Sequence, residues 1–115
     1  MCREAPAFVY TTPPTGSQWI YSQLQNKYRI LVFSGDTDGA VPTLGTIQWI
    51  EELNWPVEKE WRPWTIEDDV TGTQVGGYIE EREGLTFATV HGAGHMVPQA
   101  KRKEAYYLIF NWINE

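Results

Sequence analysis

Two short segments of this 115-residue chain carry residue types that can move a proton. Ser34-Gly35-Asp36-Thr37-Asp38 offers two carboxylates, and Gly92-Ala93-Gly94-His95-Met96-Val97-Pro98 offers an imidazole on a glycine-rich stretch. A histidine works as a general base when an acceptor holds its Nδ1–H and so leaves Nε2 free to take a proton. A carboxylate on a neighbouring loop is such an acceptor. In this order the two segments match the last two members of a Ser…Asp…His hydrolase triad. The first member has no counterpart: the serines are Ser17, Ser22 and Ser34, and none sits in a G-x-S-x-G turn. Spacing alone does not choose between Asp36 and Asp38. Each feature also has an ordinary reading, the aspartates as turn residues after glycine and His95 as a structural histidine. The Gly-Ala-Gly lead-in favours a site, because small residues let the backbone approach a ligand or nucleophile closely.

Other chemistries fail on spacing. A calcium loop opening at Asp36 would need glycine at 41 and glutamate at 47, where Val41 and Ile47 stand. His91 and His95 have the spacing of a zinc-binding helix, but Gly92 replaces the required Glu and two glycines between them disfavour a helix. The lone Gly-x-Gly completes no dinucleotide fingerprint. No metal and no cofactor are therefore expected. Cys2 is the single cysteine, so it forms neither an internal disulfide nor a metal site, and is either a free thiol or a bridge to another segment. A net charge of −6 argues against a nucleic-acid partner, whose phosphates demand a basic face. No stretch approaches the ~18 apolar residues of a membrane span. The first residues, with Arg3 and Glu4 followed by prolines, lack the apolar core of a signal peptide.

The elements that would position these residues follow from hydrophobic pattern. The length fits a single segment, residues 1–115, of one domain at most. Gly16 to Asn26 reads as a helix with Ser17 as N-cap and Trp19, Ile20 and Leu24 as apolar positions. Arg29 to Phe33 is a continuous apolar run entered from a charge, the mark of a central parallel strand covered on both faces. Pro42 suits the first turn of a helix marked by Leu44, Ile47, Ile50 and Leu53, which Asn54-Trp55-Pro56 ends. Residues 57–84 read as a hairpin-like excursion: an edge strand over Glu60–Ile66 because of Pro63, a turn, then a strand over Gln74–Arg82 with a bend at Gly76-Gly77. Leu85 to Val90 alternates and is β-branched, hence a strand. The last helix starts near Pro98 with Lys101-Arg102-Lys103 as a solvated first turn. It has two apolar faces, Tyr106, Ile109, Phe110 and Ile113 on one and Ala105, Leu108 and Trp112 on the other, and so predicts two packing partners. Trp55, Trp61 and Trp64 are read as packing residues. In an open α/β sheet the functional loops lie at the carboxyl ends of the strands, which would place Asp36, Asp38 and His95 on one edge.

At these residues the sequence resembles the serine carboxypeptidase family of α/β hydrolases. The resemblance runs through Leu31–Asp38, Gly45-Thr46 with Trp49-Ile50, Val75-Gly76-Gly77-Tyr78, and Val90 with Gly92–Pro98. It implies an α/β fold: the C-terminal part of an α/β-hydrolase sheet, ordered strand–helix–hairpin excursion–strand–helix and incomplete on its own. The family's catalytic aspartate falls on Asp38 and its catalytic histidine on His95. Met96 matches a residue near the leaving-group side of the cleft. Cys2 looks like a family cysteine bridged to upstream chain, which implies an oxidising compartment, lysosomal or vacuolar, or secreted. The family's Gly-Glu-Ser-Tyr-Ala-Gly nucleophile motif is absent here. The resemblance thus implies a serine-type carboxypeptidase acting on the C-terminus of a peptide. The serine would come from the upstream part of the same enzyme or from a second chain. A same-fold acyltransferase, a hydroxynitrile lyase relative and a non-catalytic interaction protein are the alternatives.

Overall fold

A computed structural model describes residue 11 and residues 16–115. The elements are α1 (Trp19–Leu24), β1 (Ile30–Gly35), α2 (Thr43–Glu52), β2 (Val57–Asp68), β3 (Gly72–Arg82), β4 (Leu85–Val90), α3 (Val97–Ala100) and α4 (Arg102–Asn114). The four strands form one mixed sheet in the order β1-β4-β3-β2. β1 runs parallel to β4, with Ile30 beside Leu85 and Gly35 beside Val90. β3 is antiparallel to both β4 and β2. The expected hairpin is thus no excursion from the sheet but half of it. Pro63 lies on β2, the outermost strand, as a residue without an N–H to donate requires.

Side-chain alternation on the strands separates two cores. Leu85 and Phe87 of β4 face one side with Ile50, Trp55 and the half-buried Ile30, Val32, Ile47 and Trp49. Ala88 and Val90 face the other with Ala93, Val97, Ala105 and Leu108, flanked by Phe33, Trp64 and Ile79. α2 therefore covers one face and α3 with α4 the other.

Several local expectations change. β1 is parallel but lies at an edge of the described sheet, with Ile30 to Phe33 half-buried and Ser34 and Gly35 buried. α1 is shorter than predicted, its N-cap is Gln18 rather than Ser17, and Trp19 and Ile20 are exposed. Its inward contact is Tyr21, whose ring lies 4.6 Å from that of Trp49. Pro42 is the N-cap of α2 rather than part of its first turn, and Leu44 is 79 % exposed. α2 ends where Asn54 takes a positive φ of 54°, a conformation asparagine tolerates. The last helix is broken at Lys101 into α3 and α4. Lys103 is not simply solvated: its Nζ lies 2.5 Å from Asp68 Oδ2 at the tip of the β2–β3 hairpin. On α4 the Ala105–Leu108 face packs on the sheet, whereas Tyr106, Phe110 and Ile113 stay exposed among the described residues.

Candidate active site

Parallel pairing of Gly35 with Val90 ends β1 and β4 side by side, so the next residues of both leave from one sheet edge. The two loops then pack directly on each other. A Cβ at Gly35 would lie 2.2 Å from the Ala93 carbonyl oxygen, so only glycine permits this approach. Gly92 turns the second loop with φ 68°. Thr37 holds Ala93 twice, its N–H donating to the Ala93 carbonyl at 3.0 Å and its hydroxyl to the same oxygen at 2.7 Å.

Asp38 and His95 meet above this contact, with His95 Nδ1 2.9 Å from Asp38 Oδ2. The other carboxylate oxygen, Oδ1, accepts the N–H groups of Ala40 at 2.8 Å and Val41 at 3.0 Å. The Val41 N–H, the His95 bond and the Ala40 N–H together hold the Asp38 carboxyl below its ordinary value against the opposing effect of burial. Asp38 is therefore ionised at neutral pH. An ionised carboxylate only accepts, so the proton of a neutral His95 sits on Nδ1 and the Nε2 lone pair is free. Accessibility follows the same division: the Asp38 side chain is 6 % exposed and that of His95 57 %. The arrangement can take a proton at Nε2 from a group docked against it and stabilise the resulting imidazolium.

Asp36, which spacing could not separate from Asp38, has a different partner. Its Oδ2 lies 2.7 Å from His91 Nδ1, and its Oδ1 accepts the Gly92 N–H at 2.7 Å. Sequence reasoning considered His91 only as a zinc ligand and missed this pair. The available signal was positional: Asp36 and His91 are the first residues beyond two strands that end together.

Beside the pair, a shallow cavity of about 360 Å³ is lined by Phe33, Val41, Trp49, His95, Met96 and Pro98, among others. Met96 is exposed at its rim. Ser34 is buried and its hydroxyl lies 3.2 Å from Thr43 Oγ1, an engagement that does not suit a nucleophile. Cys2 lies outside the described residues.

A model of the serine carboxypeptidase family matches residues 7–115. The chain belongs to the serine carboxypeptidase family. It is 46% identical over 96 residues to serine carboxypeptidase-like 32 of Arabidopsis thaliana, covering 83% of this chain and 20% of the relative. It is 46% identical over 87 residues to serine carboxypeptidase 1 of Hordeum vulgare, covering 75% of this chain and 16% of the relative. The lysosomal protective protein of Mus musculus is 35% identical over 99 residues, covering 86% of this chain and 21% of the relative. The chain thus spans about a fifth of the length of the curated relatives it matches. Among the described residues no helix is long and apolar enough to cross a membrane.

Proposed function

We propose that this segment supplies the general base and its orienting carboxylate to a serine-type carboxypeptidase that releases C-terminal amino acids from peptides. His95 takes the proton of a serine hydroxyl at Nε2 and returns it to the leaving amine, while Asp38 holds the Nδ1–H tautomer and stabilises the imidazolium. The attacking serine comes from polypeptide beyond these 115 residues, upstream in the same enzyme or on a second chain. The buried engagement of Ser34 with Thr43 and the lack of a nucleophile turn support that division. Met96 and the apolar cavity beside His95 line the approach of the substrate's leaving group. The C-terminal sheet of an α/β hydrolase is the architecture this reading requires, and the Tyr106–Phe110–Ile113 face of α4, exposed among the described residues, fits further chain packing there. Membership of the family, with a lysosomal protein among the relatives, supports a lysosomal, vacuolar or secreted location.

The observation that carries the proposal is the His95–Asp38 pair, with a buried, backbone-anchored carboxylate and an accessible imidazole. The test is release of the C-terminal residue from an N-blocked dipeptide by the full natural polypeptide containing this segment. Activity that is lost in His95→Gln, in a protein that still folds, supports the reading. Activity retained in that variant overturns it.

A further inference from the structure

The Asp36–His91 pair has no place in the proton transfer, yet it uses both oxygens of a carboxylate. Asp36 Oδ1 takes the Gly92 N–H and Oδ2 faces His91 Nδ1, each at 2.7 Å. These contacts grip the base of the loop whose far end is His95. Thr37 grips the next residue, Ala93, through backbone and side chain, and Asp38 holds His95 itself. Three consecutive residues of one loop thus hold successive points of the other.

From this geometry we propose that Asp36 is a positioning residue for His95. It sets where the loop leaves β4 and thereby the direction of the imidazole, without touching substrate. His91 is its partner in that task. Without Asp36 the Gly92 N–H loses its protein acceptor, and the loop is free to pivot about the Thr37–Ala93 contact. Gly92 sits at φ 68° and a Cβ at Gly94 would meet no neighbour, so both glycines leave the backbone between His91 and His95 able to turn once the Asp36 contacts are gone. Reacting groups displaced by about 1 Å lose on the order of 10²-fold in rate. The inference rests on the reading of His95 as general base for its kinetic consequence, but its geometric content stands apart from it.

The test uses Asp36→Ala, Asp36→Asn and His91→Ala in the full natural polypeptide, read by kcat, KM and the low-field NMR resonance of the His95 Nδ1 proton. Asp36→Ala is expected to lower kcat by about 10²-fold with KM changed by less than about twofold, and to broaden or shift the resonance. Asp36→Asn keeps an acceptor for the Gly92 N–H and a polar partner for His91, so it is expected to rescue both readouts. His91 is exposed, so His91→Ala should fold and lose roughly tenfold in kcat. A wild-type kcat with an unchanged resonance in Asp36→Ala overturns the proposal, as does a loss confined to KM. Should Asp36→Ala fail to fold, His91→Ala decides, and wild-type values there overturn the proposal. If the polypeptide shows no peptidase activity, the functional reading falls and the resonance alone decides on Asp36.

Discussion

Replacing Asp38 by asparagine tests the chemistry of the site most directly, because the surroundings dictate how the new side chain must sit. Oδ1 of Asp38 accepts two backbone N–H groups, from Ala40 and Val41. In Asp38→Asn the amide oxygen must take that place, since an NH₂ group there would face two donors. The amide nitrogen then occupies the position of Oδ2, 2.9 Å from His95 Nδ1. It can only donate, so Nδ1 must accept and the imidazole proton moves to Nε2. A base whose Nε2 already carries a proton cannot take one from a serine. The fold should survive, because the size of the side chain and both backbone bonds are kept.

The expected loss of kcat is about 10⁴-fold, the size associated with the wrong tautomer in such a triad. The assay is kcat and KM for a blocked dipeptide with the full natural polypeptide, alongside a denaturation curve. KM should change little, because the replacement keeps the size and placement of a side chain that is only 6 % exposed. A fall in kcat of less than about tenfold in a folded protein would refute the tautomer argument.

Three further outcomes follow from the frame around the site. Trp64 Nε1–H donates to the Thr89 carbonyl at 2.9 Å, so Trp64→Phe should cost about 1–2 kcal/mol by leaving a buried acceptor unpaired, measured by denaturant midpoint. A Cβ at Gly77 would lie 1.9 Å from that same carbonyl oxygen, so Gly77→Ala should destabilise by about 1–3 kcal/mol or more, and a midpoint equal to wild type would contradict the packing. The Asp68–Lys103 pair should make stability depend on pH at both extremes. Lys103 and then the Val70 and Thr71 N–H groups hold the Asp68 carboxyl well below the carboxylate range, and Asp68 in turn raises Lys103. The Asp68 contribution is therefore complete above its unfolded value of about 4 and lost as pH falls through its lowered folded value. The Lys103 contribution is complete below its unfolded value of about 10.4 and lost as pH rises through its raised folded value. Unfolding midpoints of wild type and Asp68→Asn should differ at neutral pH and converge in strong acid, with the difference shrinking in high salt. A gap that persists in strong acid would count against the ion pair.

The strands were legible because they rest on short-range signals, whereas the choice of Asp38 over Asp36 as the partner of His95 came from the family resemblance and not from spacing. The apolar run of β1 and the alternation of β4 are written into consecutive residues, and two strands that carry polar groups just past their ends invite a shared edge. The helices were read less well where period was misjudged. Leu44, Ile47, Ile50 and Leu53 recur every three residues, but three residues fall about 60° short of a full turn. Leu44 and Leu53 thus point in opposite directions: Ile47, Ile50 and Leu53 join the core as expected, with Thr46 buried beside Ile50, while Leu44 is left exposed. The placement of the hairpin was not legible, because pairing β3 to β4 depends on contacts distant in sequence. Nor was the Asp36–His91 pair, since it exists only once β1 and β4 lie in register.

The mixed sheet explains why a hairpin belongs to this site at all. β4 carries the histidine loop, and its two neighbours hold that loop from opposite sides. From the parallel side, residues of the loop after β1 bind His91, Gly92, Ala93 and His95. From the antiparallel side, the Gly76 carbonyl accepts the His91 N–H at 2.8 Å, and the Tyr78 N–H donates to Thr89 Oγ1 at 3.0 Å. Regular pairing of β3 with β4 stops at Ile79 and Ala88, so these bonds replace the ladder where the strands must diverge. The double glycine makes the replacement possible: Trp64 lies against Gly76 where a Cβ would meet its ring at 2.2 Å. His91 is consequently fixed by backbone on one flank and by side chain on the other. The imidazole of His95, four residues on, is then accessible without being loose, which suits the proton transfer proposed for it.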